Sequence, residues 1–342
     1  MAAAAALKFT VRRRPVVLVS PAAPTPREWK RLSDIDDQDG LRFHMPAVYF
    51  YPRHDVSIVV GGQQDPAPVI SDAIARALVH YYPLAGRLRE LQGRKLAVDC
   101  TGQGVLFVEA DADVRLEHFG KALQPPFPCM EKLLFDVPGS SETLNSPLLF
   151  FQVTRLACGG FILATRMQHA VMDAQGFVQF LGGVAELARG ALAPKVRPVW
   201  TRELLEARHP PRPSFAHREY DNDVRAPRRV PLEEPDHGSD DTTGGRQRGD
   251  AAHLHHLVFG LGQPVYGGPA MGGVGAIPRV SSFLVKGKNA MDEDGVVAPV
   301  CLPAPAMDRF AEEIRKLLRS PVVVDVPAPQ QAGVVPLVMS AL

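Results

Sequence analysis

Apolar positions recur at helical spacing between Ala67 and Tyr81, where Ile70, Ile74, Leu78 and Tyr81 line one face beside Ala73 and Ala77. Such a stripe predicts an amphipathic helix, with Pro68 suited to its first turn and Pro83 to its stop. A second helix is expected over Ala174–Arg189, with Phe177, Phe180, Leu181, Val184 and Leu187 inward and Gly190 as C-cap. A third is expected over Ala304–Arg319, through Met307, Phe310, Ile314, Leu317 and Leu318. Strand-like runs lie between the helices. Lys95–Cys100 and Val105–Ala110, joined by Thr101-Gly102-Gln103-Gly104, read as a β-hairpin. Leu148–Leu156 and Phe161–Gln168 flank Cys158-Gly159-Gly160 and read as another. Phe161-Ile162-Leu163-Ala164-Thr165 is apolar on both faces, which places it deep in a sheet. Val296–Leu302 is a further strand candidate. Hairpins interleaved with helices predict an α/β or α+β architecture with a mixed sheet.

The pattern breaks at Asp221. From there to Asp250 the only large apolar residues are Val224, Val230 and Leu232, and thirteen of the thirty residues are charged. A stretch with so little to bury cannot offset the entropy of ordering. The expected organisation is an N-terminal unit over residues 1–195, a Pro-rich and charged linker over 196–256 that is largely disordered, and a short C-terminal unit over 257–342. No internal repeat is found. With 342 residues, 46% of them apolar, the chain has material for a sizeable core, so disorder throughout is excluded. A net charge of +1 leaves no global field to hold nucleic acid or an anionic membrane. Cys100, Cys129, Cys158 and Cys301 lie far apart, fitting neither a zinc site nor a disulfide framework, and point to a reducing compartment. At the N-terminus the Ala run precedes Arg12-Arg13-Arg14, the reverse of a secretory signal, and no apolar run reaches the roughly 18 residues of a spanning helix. The expected location is the cytoplasm, with no membrane partner.

Candidate chemistry centres on His-x-x-x-Asp, which occurs at His169…Asp173, His217…Asp221 and His237…Asp241. Chance alone supplies about 0.7 such pairs in a chain of this composition, so the spacing by itself decides nothing. Context separates the three. His217 lies in the Pro-rich linker and His237 in the charged stretch, where nothing would hold an imidazole in place. His169 lies where an apolar strand ends and a helix begins, a junction that positions reactive groups. It reads either as a general base or as a core histidine, with Asp173 as N-cap of the next helix. The Gly-rich run Val265–Pro278 lacks a phosphate-loop Gly-Lys-Ser/Thr and reads as a turn. His253, His255 and His256 have no cysteine nearby and read as an incidental cluster, so no metal is expected. Arg225–Arg229 is balanced by the acids after Leu232, and no nucleic-acid partner is expected.

Several longer stretches share one likeness. Val11-Arg12-Arg13-Arg14-Pro15, Leu32-Ser33-Asp34-Ile35-Asp36-Asp37-Gln38, Tyr82-Pro83-Leu84-Ala85-Gly86-Arg87, His169-Ala170-Val171-Met172-Asp173-Ala174-Gln175-Gly176 and Pro264-Val265-Tyr266-Gly267-Gly268-Pro269-Ala270 follow in the order found in plant BAHD acyltransferases. The chain resembles that family, and within it the alcohol O-benzoyltransferase-like branch. The resemblance implies an α/β, chloramphenicol-acetyltransferase-like fold of two domains with mixed sheets, here with the C-terminal domain incomplete. It implies acyl-CoA as co-substrate, a small alcohol as acceptor, no resident cofactor and a monomer. By the same likeness His169 would be the general base, while Asp173 and Gly176 would support its loop.

The second family signature, Asp-Phe-Gly-Trp-Gly, reads here Val258-Phe259-Gly260-Leu261-Gly262. The aspartate that forms a structural ion pair in the family is Val258, and the tryptophan is Leu261. About a hundred residues, most of a small domain, are missing between Asp221 and Val258 relative to the family. The expected consequences are an uncovered apolar face on the N-terminal sheet, low stability and weak or absent catalysis. Two functions follow: an acyl-CoA-dependent O-acyltransferase for a small alcohol, or an inactive truncated relative that persists as a ligand-binding or interaction protein or is an aberrant gene product.

Overall fold

Long runs of β-branched and aromatic residues give the structure, a computed structural model, its central sheet. It describes residues 7–53, 64–120, 123, 125, 127–140, 142–210, 212, 257–270, 285–288, 294–297 and 304–319. In chain order the strands are β1 (Val11–Arg13), β2 (Val17–Val19), β3 (Trp29–Arg31), β4 (His44–Tyr51), β5 (Arg87–Glu90), β6 (Leu96–Asp99), β7 (Val105–Ala112), β8 (Leu149–Leu156), β9 (Phe161–Gln168), β10 (Tyr266–Pro269), β11 (Val285–Lys288) and β12 (Asp294–Val297). The helices are α1 (Pro66–His80), α2 (Met130–Leu133), α3 (Ala174–Ala188) and α4 (Ala304–Arg319). β1 and β2 pair with β7, and the order continues β7-β8-β9-β4-β10. Among the described strands only β7 and β8 run parallel, so the sheet is mixed as expected. β3, β6 and β5 form a small antiparallel sheet of their own, and β11 pairs with β12.

Helices α1 and α3 pack together on one face of the large sheet. Ile70, Ile74 and Leu78 of α1 and Phe177, Phe180 and Val184 of α3 meet Tyr49, Phe151 and Leu163 in one buried cluster. Asp65 caps α1, its side chain accepting the Ala67 N–H, and Pro66 occupies the first turn. The other face is also covered. Phe9, Phe119, Phe127, Leu133 and Leu134 close over Val48, Phe50 and Ile162, while Phe135 packs on Phe150. The expected bare apolar face is therefore corrected: the connection between β7 and β8 and the N-terminal arm bury it.

The hairpin over Leu148–Leu156 and Phe161–Gln168 forms as the pattern predicts, from Leu149 opposite Met167 to Arg155 opposite Phe161. The hairpin expected from Lys95 to Ala110 does not. β6 pairs with β3 and β5, whereas β7 joins the large sheet. The reason lies in residues 101–104, which hand the chain from one sheet to the other. Gly104 has φ +99°, and a Cβ there would sit 2.3 Å from the Val19 carbonyl oxygen, so only glycine permits the approach to β2. The buried Arg87 guanidinium donates to the carbonyls of Gly86 and Gly104 at 2.7 and 2.9 Å. Burial pushes that guanidinium down to about 10.

Residues 257–270 join the large sheet and its core. β10 pairs with β4, Tyr266 opposite Phe50, and Phe259 is buried in the cluster that holds α1 and α3. Part of the Val296–Leu302 candidate falls in β12, and α4 has the bounds expected. The charged stretch 221–250 lies outside the described residues.

Candidate functional site

β4, β8 and β9 meet at one end of the sheet, with His44 opposite Gln168 across the β4–β9 pair. The Gln168 N–H donates to the Leu148 carbonyl, and the chain then leaves the ladder. Without ladder partners, each backbone group of the loop after β9 needs another acceptor or donor. The His169 N–H donates to the Phe43 carbonyl at 2.9 Å, and the Val171 N–H to the Gln168 carbonyl at 3.2 Å. The Ala170 N–H donates to the Gln168 Oε1 at 3.3 Å. The Val171 carbonyl accepts from Arg202 Nη2 at 2.7 Å, while Arg202 Nη1 pairs with Asp36.

The His169 imidazole is half-buried, its ring 5.2 Å from that of Phe43 at a 42° tilt. Its Nδ1 is buried without a hydrogen-bond partner among the described residues, as is the Nε2 of Gln168. Two orphaned buried nitrogens on consecutive residues are uncommon, because each costs about 1–3 kcal/mol. Asp173 does not reach back to the imidazole. It is exposed and caps α3, its Oδ1 accepting the Gly176 N–H at 2.8 Å. A Cβ at Gly176 would press to 3.2 Å from Met172 Cβ and 3.4 Å from the Asp173 carboxylate, so a side chain here would crowd the capped turn.

His44 lies beside this end and was not singled out by any motif. Its Nε2 lies 3.2 Å from the Pro147 carbonyl, and its ring meets Phe150 edge-on at 5.1 Å. Burial holds this imidazole below its usual range, helped by the Arg166 charge and opposed by the Pro147 carbonyl and Asp136. Along the chain, no site signal marks Phe43, Asp36 or Arg202 either. Asp36 falls within the Leu32–Gln38 stretch, but the side chain it meets is 166 positions away. No local pattern announces such a pair.

The second signature sits elsewhere, against the α1–α3 side of the sheet. Phe259 is buried, its ring 6.0 Å from that of Tyr51. The Tyr51 hydroxyl donates to the Leu257 carbonyl at 2.8 Å, and Arg189 donates to the Val258 carbonyl. Leu261 is partly buried against the same core, and Gly260 and Gly262 have φ of +78° and +100°. His217, His237, His253, His255 and His256 lie outside the described residues. Among the described residues no group of three or more His, Cys, Asp or Glu is placed to hold a metal, and no helix is long and apolar enough to cross a membrane.

The profile of the Transferase family matches residues 7–235. The chain is 40% identical over 445 aligned residues to the benzyl alcohol O-benzoyltransferase of Nicotiana tabacum, using 93% of this chain and 96% of that one. Since 445 positions exceed a 342-residue chain, at least a hundred of them have no residue here. The 13-hydroxylupanine O-tigloyltransferase of Lupinus albus is 56% identical over 214 residues, 63% of this chain and 46% of that one. Among solved structures, vinorine synthase is 26% identical with a TM-score of 0.47, covering 60% of this chain and 48% of that chain.

Proposed function

The chain belongs to the plant BAHD acyltransferase family, and from that premise we propose that it transfers an acyl group from acyl-CoA to the hydroxyl of a small alcohol, with His169 as general base. Acyl-CoA is the family's co-substrate, and no resident cofactor is required. The observation that carries the assignment of His169 is its placement: a half-buried imidazole at a sheet end, its backbone pinned to Phe43, its Nδ1 unpaired among the described residues. An imidazole with a free ring nitrogen can take the proton from an acceptor hydroxyl as its oxygen attacks. The alcohol oxygen attacks the thioester carbonyl and forms a tetrahedral intermediate. As the C–S bond breaks, the same imidazole returns the proton to the CoA thiolate, so no acyl-enzyme forms. Asp173 contributes by fixing the first turn of α3, which sets where the loop ends. The resemblance to the benzyl alcohol O-benzoyltransferases makes benzoyl-CoA and benzyl alcohol the first pair to try.

Thiol release from benzoyl-CoA in the presence of benzyl alcohol tests this, measured beside His169→Ala. A positioned general base contributes about 10²–10⁴-fold, and a loss of that order is expected. Equal, background-level rates for the two proteins would eliminate the reaction for this chain.

A second reading has specific support. Val258 and Leu261 replace the charged and indole side chains of the second signature, and at least a hundred aligned positions of the tobacco relative have no counterpart. On that reading the chain is an inactive, internally shortened relative whose N-terminal unit, 1–195, binds a ligand or partner, with residues 257–342 the remainder of a C-terminal domain. Saturable binding of benzoyl-CoA without turnover would favour it.

A further inference from the structure

We infer that Arg202 is a positioning residue for the His169 loop: its guanidinium joins the Val171 carbonyl, two residues past the imidazole, to the Asp36 carboxylate and so fixes the loop that carries it. The effect on rate rests on the acyl-transfer reading above; the effect on the imidazole's surroundings does not.

The loop after β9 is bound at two points, and both trace to one acidic turn. In that turn Ser33 Oγ donates to Asp36 Oδ2 at 2.7 Å, and the N–H groups of Asp36 and Asp37 both donate to the Ser33 carbonyl. Asp37 is held by Arg42 at 3.2 Å, by Lys95 at 3.5 Å and by the Leu96 N–H at 3.1 Å. One arm leaves through Arg42 to its neighbour Phe43, whose carbonyl takes the His169 N–H. The other leaves through Asp36 to Arg202, which reaches the Val171 carbonyl. His169 and Val171 are thereby tied to the same base from two directions.

The chemistry suits arginine. A planar fork can satisfy a carboxylate and a carbonyl at once, whereas an ammonium on a flexible stem cannot hold both in one geometry. The Arg202 and Asp36 side chains are 19% and 23% exposed, shielded enough for the pair to resist screening. Arg202 is itself held, since its N–H donates to the Trp200 carbonyl and the Trp200 ring lies 6.0 Å from that of Tyr82. The Ala207 N–H then anchors to Asp34 at 2.6 Å, returning the segment to the acidic turn. A segment beyond α3, apart from the signature motifs, thus sets the geometry of the loop.

The test uses the full chain labelled at histidine, with the His169 ring resonance identified by its absence in His169→Ala. In Arg202→Met the resonance should shift or broaden, and Arg202→Lys should restore part of the change. Arg155→Met, which cuts the Asp65 and Glu109 contacts at the other end of the sheet, should leave it in place. Where the wild-type chain turns over benzoyl-CoA, Arg202→Met should lower kcat about tenfold with KM changed far less. An unmoved His169 resonance in folded Arg202→Met overturns the inference, as does a shift of equal size in Arg155→Met. Should Arg202→Met fail to fold, Asp36→Asn and Arg202→Lys decide, and an unmoved resonance in both overturns it. Absence of turnover in the wild type would sink the acyl-transfer reading while the resonance still judges Arg202.

Discussion

His169–Gly176 and Val258–Gly262 both answer to family signatures, yet they use their residues in opposite ways. The first leaves a sheet end with a half-buried imidazole whose Nδ1 has no partner among the described residues, and closes on a capped helix. The second buries Phe259 beside Tyr51, and its contact with Arg189 uses a backbone carbonyl. One segment keeps a buried polar atom unsatisfied among the described residues. In the other, Val258 stands where the resembled signature has its aspartate, and with no carboxylate there, no buried charge seeks a counterion. Packing and electrostatics make different demands on such a segment, because apolar burial needs only shape and volume, whereas an ion pair needs both partners.

The contrast can be broken by substitution. His169→Ala should show the largest effect on turnover, the 10²–10⁴-fold loss expected of a general base, while leaving thermal unfolding unchanged or slightly improved. Phe259→Ala should do the reverse, costing about 3–5 kcal/mol of stability by cavity formation, as read from denaturant midpoints. If Phe259→Ala unfolds at the wild-type midpoint, the second segment is not part of the core. Asp173→Ala should lose about 1 kcal/mol through the missing cap, and Asp173→Asn much less, since its amide oxygen still accepts the Gly176 N–H. Equal losses in the two variants would show that the carboxylate does more than cap.

A pH series sharpens the site further. His44 is held below its usual range chiefly by burial, so the unfolded chain takes up its proton first as pH falls. Stability should therefore decline as pH drops from about 6.5 towards the lowered folded value, and His44→Gln should flatten that slope. An unchanged slope would assign the dependence to other groups. The smallest effect is expected for Arg189→Met, less than about 1 kcal/mol, because the Arg189 side chain is exposed.

Much of this arrangement is legible along the chain. The Cys158-Gly159-Gly160 turn between two apolar runs specifies the β8–β9 hairpin, and the stripe from Phe177 to Leu187 specifies α3. These are local signals: a turn residue at a fixed offset, a period matched to one element. The run Thr101–Gly104 carries the same kind of signal and misleads, because Gly104 serves a close approach to β2 in place of a two-strand turn. Cover for the second sheet face was equally invisible, since Phe9, Phe119 and Phe127 come from stretches without periodicity.

By itself the sequence determined the elements flanking the loop, the order of the motifs and the imidazole worth attention, because period, turn chemistry and spacing act over a few residues. Only the tertiary structure decided that β6 and β7 part company, that Phe259 returns to the first core and that Asp36 meets Val171 through Arg202. Those outcomes depend on which distant surfaces bury one another and which carbonyls a guanidinium can reach, and neither is encoded at any single spacing.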